Sequence, residues 1–184
     1  MGPVGAGKTE AVRTLSDIEV VSTDVDATDE TAALKDKTTV AMDVGVMDLG
    51  EGDKLRLYGA PGQDRFDFMW DILLEQSKGI VLLLNHSNPQ PLNDLRHFVD
   101  RLGVALAGRK LPLVIGVTHI DKAPHLSLGI YAEQLEKTPA PFAICRVPIF
   151  FLDARVRREV RTVVIALAAI LEMAARFPEK KVAE

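Results

Sequence analysis

The chain opens with MGPVGAGKT, in which glycine, lysine and threonine have a spacing that suits phosphate binding. Residues 2–9 fit the pattern G-x-x-x-x-G-K-(S/T), whose glycine-rich turn directs successive backbone N–H groups towards phosphate oxygens. The ammonium group of Lys8 would add a positive charge, and the hydroxyl group of Thr9 would be a ligand for Mg²⁺. The sequence therefore predicts a loop that binds a phosphate-bearing ligand. The alternative is a flexible glycine-rich leader, because the pattern normally follows a strand and no strand-like run precedes it in these letters.

Composition is typical of one globular domain over residues 1–184, with 47% apolar and 26% charged residues. The net charge of −4 argues against nucleic acid as the main partner. The single cysteine, Cys145, cannot form an internal disulfide, which suits a reducing compartment. The longest apolar run, at 163–171, is shorter than the roughly 20 residues of a membrane helix. We therefore expect a cytoplasmic protein with no membrane span.

Strand-like and helix-like segments alternate after the opening loop, which is typical of an α/β fold. Helices are predicted at 9–16, 64–76, 91–107, 128–137 and 156–177, buried strands at 79–85, 111–117 and 147–153, and a hairpin at 38–49 and 53–60. The pattern predicts a mixed, mostly parallel sheet with helices on both faces. In such a sheet a phosphate loop follows a central strand, so we expect that strand to be encoded before Met1.

A second set of residues, YGAPGQDRFDFMW at 58–70, directly follows a predicted strand. Four other segments accompany it in the chain: GPVGAGKT, KTTVAMDVG, VTHID and FLDAR. In the order and spacing of these five segments, the chain resembles the Ras-like small GTPases. It is most similar to the bacterial branch related to the signal recognition particle receptor β subunit, often described as ATP/GTP-binding proteins. The resemblance covers nearly the whole chain and implies a three-layer P-loop NTPase fold, here with its first strand apparently missing.

The resemblance implies that residues of each segment bind GTP or GDP. The nucleotide-binding set would be Gly2, Val4, Gly5, Ala6, Gly7, Lys8, Thr9, Gly62, Thr118, His119, Asp121, Ala154 and Arg155. Lys8 and Gln63 would be catalytic, because they would stabilise phosphate charge and orient the attacking water. Thr9 and Thr39 would hold Mg²⁺. Both residues also have a structural interpretation. Thr39 would then be a threonine favoured by its position in a strand, and Gln63 would be a surface glutamine after a Pro-Gly turn.

The segment VTHID indicates which base would be bound. The carboxylate of Asp121 would accept two hydrogen bonds from N1–H and the exocyclic amine of guanine, which adenine does not offer on that edge. This favours GTP over ATP. His119 replaces the lysine of the family, and the sequence Asp-Ala-Arg at 153–155 replaces Ser-Ala-Lys, in which the N–H of Ala154 would still contact the guanine oxygen.

The metal site departs from the family at Gly59, where an aspartate usually holds Mg²⁺ through water. This predicts weaker metal binding unless Asp43, or an acidic residue in the segment 24–30, takes over. The acids of that segment otherwise form a solvated face. The histidines at positions 86, 97, 119 and 125 lack the spacing of a zinc site.

Two further groups of side chains have both a structural and a functional interpretation. Phe66, Phe68, Met69 and Trp70 would either pack in the core or form an aromatic surface that anchors a partner. The arginines at 155, 157, 158 and 161 are more typical of a solvated helix face than of a nucleic-acid or lipid patch.

The sequence as a whole predicts a GTP-binding molecular switch that hydrolyses GTP slowly. The resemblance implies a role in bacterial signalling, with roadblock-type regulatory proteins or sensor proteins as partners. A nucleotide-binding or degenerate interaction module without significant catalysis is the main alternative, and a P-loop ATPase is less favoured.

Overall fold

Helices and strands alternate along the chain, as the sequence predicted. The computed structural model describes residues 1–22, 42–62, 68–106, 109, 111–124, 127–137 and 147–177. These residues contain the helices α1 (Lys8–Leu15), α2 (Phe68–Gln76), α3 (Pro91–Leu106), α4 (Ile130–Glu136) and α5 (Arg157–Arg176). The strands are β1 (Val21–Ser22), β2 (Asp43–Gly50), β3 (Asp53–Gly59), β4 (Ile80–Asn85), β5 (Leu113–Thr118) and β6 (Ile149–Phe151).

The six strands of the described residues form two sheets of three strands each. In one sheet β5 lies between β4 and β6, and both pairs are parallel. In the other sheet β2 lies between β1 and β3, and both pairs are antiparallel. The predicted hairpin is confirmed as β2 and β3, whose register places Asp43 opposite Gly59. The sequence predicted a single mixed sheet. Within the described ranges no strand pairs with both β3 and β4, so the strands form two separate sheets instead.

Met1, just before the predicted phosphate loop (residues 2–9), runs alongside β4. The α-amino group of Met1 donates to the carbonyl oxygen of Val81 at 2.8 Å, and the N–H of Leu83 donates to the carbonyl oxygen of Met1 at 2.9 Å. Met1 thus bonds to two residues on either side of Leu82, which is the pattern of parallel strands. This is the position at which the sequence predicts a strand before the loop.

Two apolar cores cover the two faces of the parallel sheet. Side chains of β4 alternate between them, because successive residues of a strand point to opposite faces. Leu82 and Leu84 join residues of α2, α3 and α4, whereas Leu83 joins residues of α1 and α5. The prediction of helices on both faces is therefore confirmed for this sheet. Among the described helices, none has the length and apolar character needed to cross a bilayer.

The close approach of strand and side chains at Gly116 in β5 leads to a stability prediction. A Cβ atom at this position would lie 2.6 Å from Cδ2 of Leu83 and 2.7 Å from Cδ2 of Leu152. We expect Gly116→Ala to lower the free energy of unfolding by about 1–3 kcal/mol, because the leucines must shift within a packed core. Urea denaturation would measure the change. Gly129→Ala is the control, since its Cβ would meet Ser127 Oγ at an ordinary 3.6 Å, and an equal effect of both substitutions would contradict the prediction.

Candidate functional site

The phosphate loop turns into α1 through two glycines with left-handed backbone conformations. Gly5 has φ of 77° and Gly7 has φ of 81°, which residues with a Cβ rarely adopt. Gly7 is the N-cap of α1, and no side chain caps this end of the helix. The first N–H groups of a helix lack intrahelical partners, so they are free to bind an anion. The chain therefore enters α1 through left-handed glycines and leaves the start of this helix without a side-chain cap.

Side chains at the carboxyl ends of two parallel strands form hydrogen bonds with backbone carbonyl groups of the loop. The hydroxyl group of Thr118 lies 3.2 Å from the carbonyl oxygen of Ala6 and 3.1 Å from that of Leu84. The side-chain amide of Asn85 donates to the carbonyl oxygen of Gly5 at 3.4 Å. Thr118 belonged to the predicted site, whereas Asn85 did not. The available signal for Asn85 was a polar residue at the carboxyl end of a buried strand, where ligands bind in open α/β sheets.

Lys8 lies folded against the loop, and Gly62 packs next to it. The ammonium group of Lys8 donates to the carbonyl oxygen of Pro3 at 2.7 Å. Burial lowers the pKa of Lys8 to about 8, and the negative charge of Asp43 opposes that shift. A Cβ at Gly62 would lie 2.5 Å from the carbonyl oxygen of Gly2 and 2.8 Å from Nζ of Lys8. The structure thus brings Gly62 next to Gly2 and Lys8, although Gly62 is distant from both in sequence.

Thr9 contacts an acidic side chain from the neighbouring antiparallel sheet. Its hydroxyl group donates to Oδ2 of Asp43 at 2.6 Å. Asp43 is 7% exposed. It lies opposite Gly59, and a Cβ at position 59 would be 3.0 Å from both Cβ and Oδ2 of Asp43. The carboxylate therefore occupies the space beside Gly59.

A cavity of about 390 Å³ adjoins the phosphate loop. Its lining comes from the start of α1, from segments 118–122 and 151–155, and from Glu159. The predicted site residues in this lining are Gly7, Thr118, His119, Asp121, Ala154 and Arg155. A Cβ on Gly7 would lie 3.1 Å from Cβ of Ala154, so the loop and the cavity wall are in direct contact. The volume lies within the range of about 300–1,000 Å³ that is typical of small-molecule sites.

His119 and Asp121 form one wall of the cavity. His119 has a left-handed backbone conformation with φ of 58°, and its Nδ1 lies 2.8 Å from the hydroxyl oxygen of Thr118. Burial, followed by the charge of Lys122, lowers the pKa of His119, which favours the neutral imidazole. Asp121 lies in a short 3₁₀ helix, Ile120–Lys122, and is exposed. Its carboxylate is therefore accessible to a ligand.

Another part of the cavity lining carries an ion pair between Asp153 and Arg155. The guanidinium group of Arg155 donates to both carboxylate oxygens of Asp153, at 2.6–3.1 Å. These hydrogen bonds, together with one from the backbone N–H of Arg155, lower the pKa of Asp153 to about 2. The backbone N–H of Asp153 donates to Glu159 at 2.8 Å. The turn that contains Ala154 is thus held from both sides.

The described residues test only part of the predicted site. Gln63, Thr39, Phe66 and the acidic segment 24–30 lie outside them, as does the side chain of Phe68. Trp70 is in the core, where it stacks on Phe98 with ring centroids 5.2 Å apart and donates to the carbonyl oxygen of Pro61. Its structural interpretation is therefore confirmed. Val4 is 66% exposed at the tip of the loop.

Within the described ranges, no group of three or more His, Cys, Asp or Glu side chains could hold a metal ion. Comparison of the chain with protein-family models and with curated proteins found no match.

Proposed function

We propose that the chain is a small-GTPase-like molecular switch that binds GTP or GDP across the phosphate loop and the adjoining cavity. The observation that carries the proposal is the contact at Gly7, which belongs to the loop and also lines the cavity. One ligand with a polyphosphate tail and a planar base would occupy both places. A free phosphate would need only the loop.

The phosphates would lie against the backbone amides between Gly5 and Thr9. These amides and the helix N-terminus attract negative charge without reorganising. The ammonium group of Lys8 would exchange its hydrogen bond with Pro3 for phosphate oxygens. Binding would also favour the protonated lysine, whose pKa burial has lowered to about 8.

The base would lie in the cavity with its Watson–Crick edge towards Asp121. A carboxylate accepts hydrogen bonds but donates none, so it matches the two donors of guanine. The N–H of Ala154 would contact the guanine oxygen, and the ring of His119 would cover one face of the base. This geometry favours guanine over adenine, and it makes the P-loop ATPase the weaker alternative.

Slow GTP hydrolysis follows in this proposal from the positioning of water by Gln63 and from charge stabilisation by Lys8. Mg²⁺ would be held by Thr9 and Thr39 together with the phosphates, and it would neutralise charge on them. We expect Gln63→Leu to lower single-turnover GTP hydrolysis about tenfold or more, at unchanged GTP affinity. Phosphate release would be measured with excess protein, with Gln76→Leu as control. An unchanged rate would remove Gln63 from catalysis.

A titration with fluorescently labelled GDP, followed by competition with GTP and ATP, tests the proposed function. Saturable binding that GTP displaces and ATP does not would support it. Preference for ATP would overturn the role of Asp121, and absence of saturable binding would overturn the proposal. Folding of the sample would be verified by circular dichroism.

A nucleotide-binding interaction module with little catalysis is the second candidate, favoured by Gly59 and His119 at positions where the family has other residues. Tight GTP binding without turnover would distinguish it from the switch. Roadblock-type or sensor proteins remain the partners that the resemblance implies in either case, and co-purification with such proteins would test them.

A further inference from the structure

We propose that Asp43 provides the carboxylate that holds Mg²⁺ at the nucleotide site, in place of a side chain at position 59. This inference rests on the proposed function, and it adds a metal-holding residue on a different strand from the one that the family uses. It depends on three observations: the hydrogen bond between Asp43 and Thr9, the space beside Gly59, and the burial of Asp43 near Lys8.

The first observation places the carboxylate at the hydroxyl group that the loop offers to a metal. Oδ2 of Asp43 and Oγ1 of Thr9 are 2.6 Å apart. Two oxygen atoms at this separation are close enough to be neighbouring ligands of one Mg²⁺, or to bind it through a shared water. Mg²⁺ in nucleotide sites usually binds one or two carboxylates together with phosphate oxygens and water. A single carboxylate beside Thr9 meets this requirement.

The second observation explains why position 59 is glycine. Asp43 on β2 and Gly59 on β3 face each other in the hairpin, and a Cβ at 59 would lie 3.0 Å from Oδ2 of Asp43. An aspartate at each position would place two like charges in one small space, which is unfavourable. In this proposal the carboxylate therefore comes from β2 and not from β3, beside the same loop.

The third observation concerns electrostatics. Asp43 is 7% exposed, and burying a charged carboxylate is costly unless it has partners. Its described partners are the hydroxyl group of Thr9 and the positive charge of Lys8. When the phosphates of a bound nucleotide contact Lys8, a divalent cation would take over from Lys8 in compensating the negative charge of Asp43. The site thus has one negative side chain placed to receive a cation together with the polyphosphate.

The test compares GDP affinity with 5 mM Mg²⁺ and with EDTA, on the full chain. We expect Mg²⁺ to tighten GDP binding by about tenfold or more in the wild type and by less than about twofold in Asp43→Asn, since the amide keeps the shape but loses the charge. Asp53→Asn is the matched control, because Asp53 is an exposed aspartate in the same hairpin. It should retain the wild-type response to Mg²⁺.

A reciprocal variant separates metal binding from a purely structural role. In Asp43→Gly combined with Gly59→Asp, the carboxylate returns to β3 and extends into the space that Asp43 leaves. We expect this double variant to recover most of the Mg²⁺ response that the single variant loses. A structural hydrogen bond to Thr9 would leave the Mg²⁺ response of Asp43→Asn intact, and that result would overturn the inference.

A measurement on the unmodified chain covers the case in which the variants do not fold. Fe²⁺ would replace Mg²⁺ in the GDP complex, and added hydrogen peroxide and ascorbate would generate hydroxyl radicals at the iron, which cleave the backbone near it. Cleavage near both Thr9 and Asp43 supports the inference, whereas cleavage near Thr9 without cleavage near Asp43 overturns it.

The outcomes also distinguish this inference from the proposed function. Absence of GDP binding by the wild type would overturn both. GDP binding with an unaltered Mg²⁺ response in a folded Asp43→Asn variant would overturn only the role of Asp43.

Discussion

Lys8→Met is expected to lower the affinity for GTP and GDP by about 100-fold or more, equivalent to about 2.7 kcal/mol of binding free energy. The ammonium group is buried against the phosphate loop, where its attraction for a polyphosphate is screened less than at the surface. Methionine keeps the length of the side chain but removes the charge. Isothermal titration calorimetry with GDP and Mg²⁺ would measure the change.

Lys54→Met is the matched control for this substitution, because Lys54 is exposed on β3 and lines no part of the site. Lys54→Met and Lys8→Met change the net charge of the protein by the same amount. Equal losses of affinity in the two variants would show that overall charge, and not the position of Lys8, determines binding. Unchanged affinity in Lys8→Met would remove the phosphate loop from the site.

Asp121→Asn is expected to weaken GTP binding by about 100-fold and to create measurable binding of xanthosine triphosphate. In the proposed complex the carboxylate accepts two hydrogen bonds from guanine, and hydrogen bonds to a charged group contribute about 1.5–3 kcal/mol each. Asparagine offers one acceptor and one donor, which match the N1–H and the 2-oxo group of xanthine. Competition against labelled GDP, and direct titration with the xanthine nucleotide, would measure both effects.

Asp71→Asn is the control here, since Asp71 is an exposed aspartate on α2 away from the cavity lining. The gain of xanthine binding is the informative result, because general damage to the cavity would weaken every nucleotide. A variant that still prefers GTP over xanthosine triphosphate would contradict the role proposed for Asp121.

Local sequence patterns predicted most of the secondary structure, for reasons that do not depend on distant contacts. The runs at 79–85 and 111–117 are apolar throughout, because both faces of a parallel strand are covered. They correspond to β4 and β5, shortened by one or two residues at their starts. The glycines of the phosphate loop also act locally, since left-handed backbone at Gly5 and Gly7 depends on the missing Cβ.

Contacts between segments could not be predicted in the same way. Whether Trp70 formed a surface anchor or entered the core depended on the position of Phe98, which belongs to another helix. Asn85 was missed because its contact with Gly5 joins residues that are 80 positions apart in the chain, and nothing in either neighbourhood indicates the other.

The same division applies to the proposed metal site. By itself, the sequence determined that position 59 lacks the usual carboxylate and that several acids, Asp43 among them, were available to replace it. Only the tertiary structure decided that Asp43 lies opposite Gly59 and that its carboxylate reaches Thr9, because these contacts depend on the hairpin register and on the packing of β2 against α1. The sequence gives the residue type at each position, whereas the distances from Asp43 to Gly59 and to Thr9 depend on how the whole chain packs.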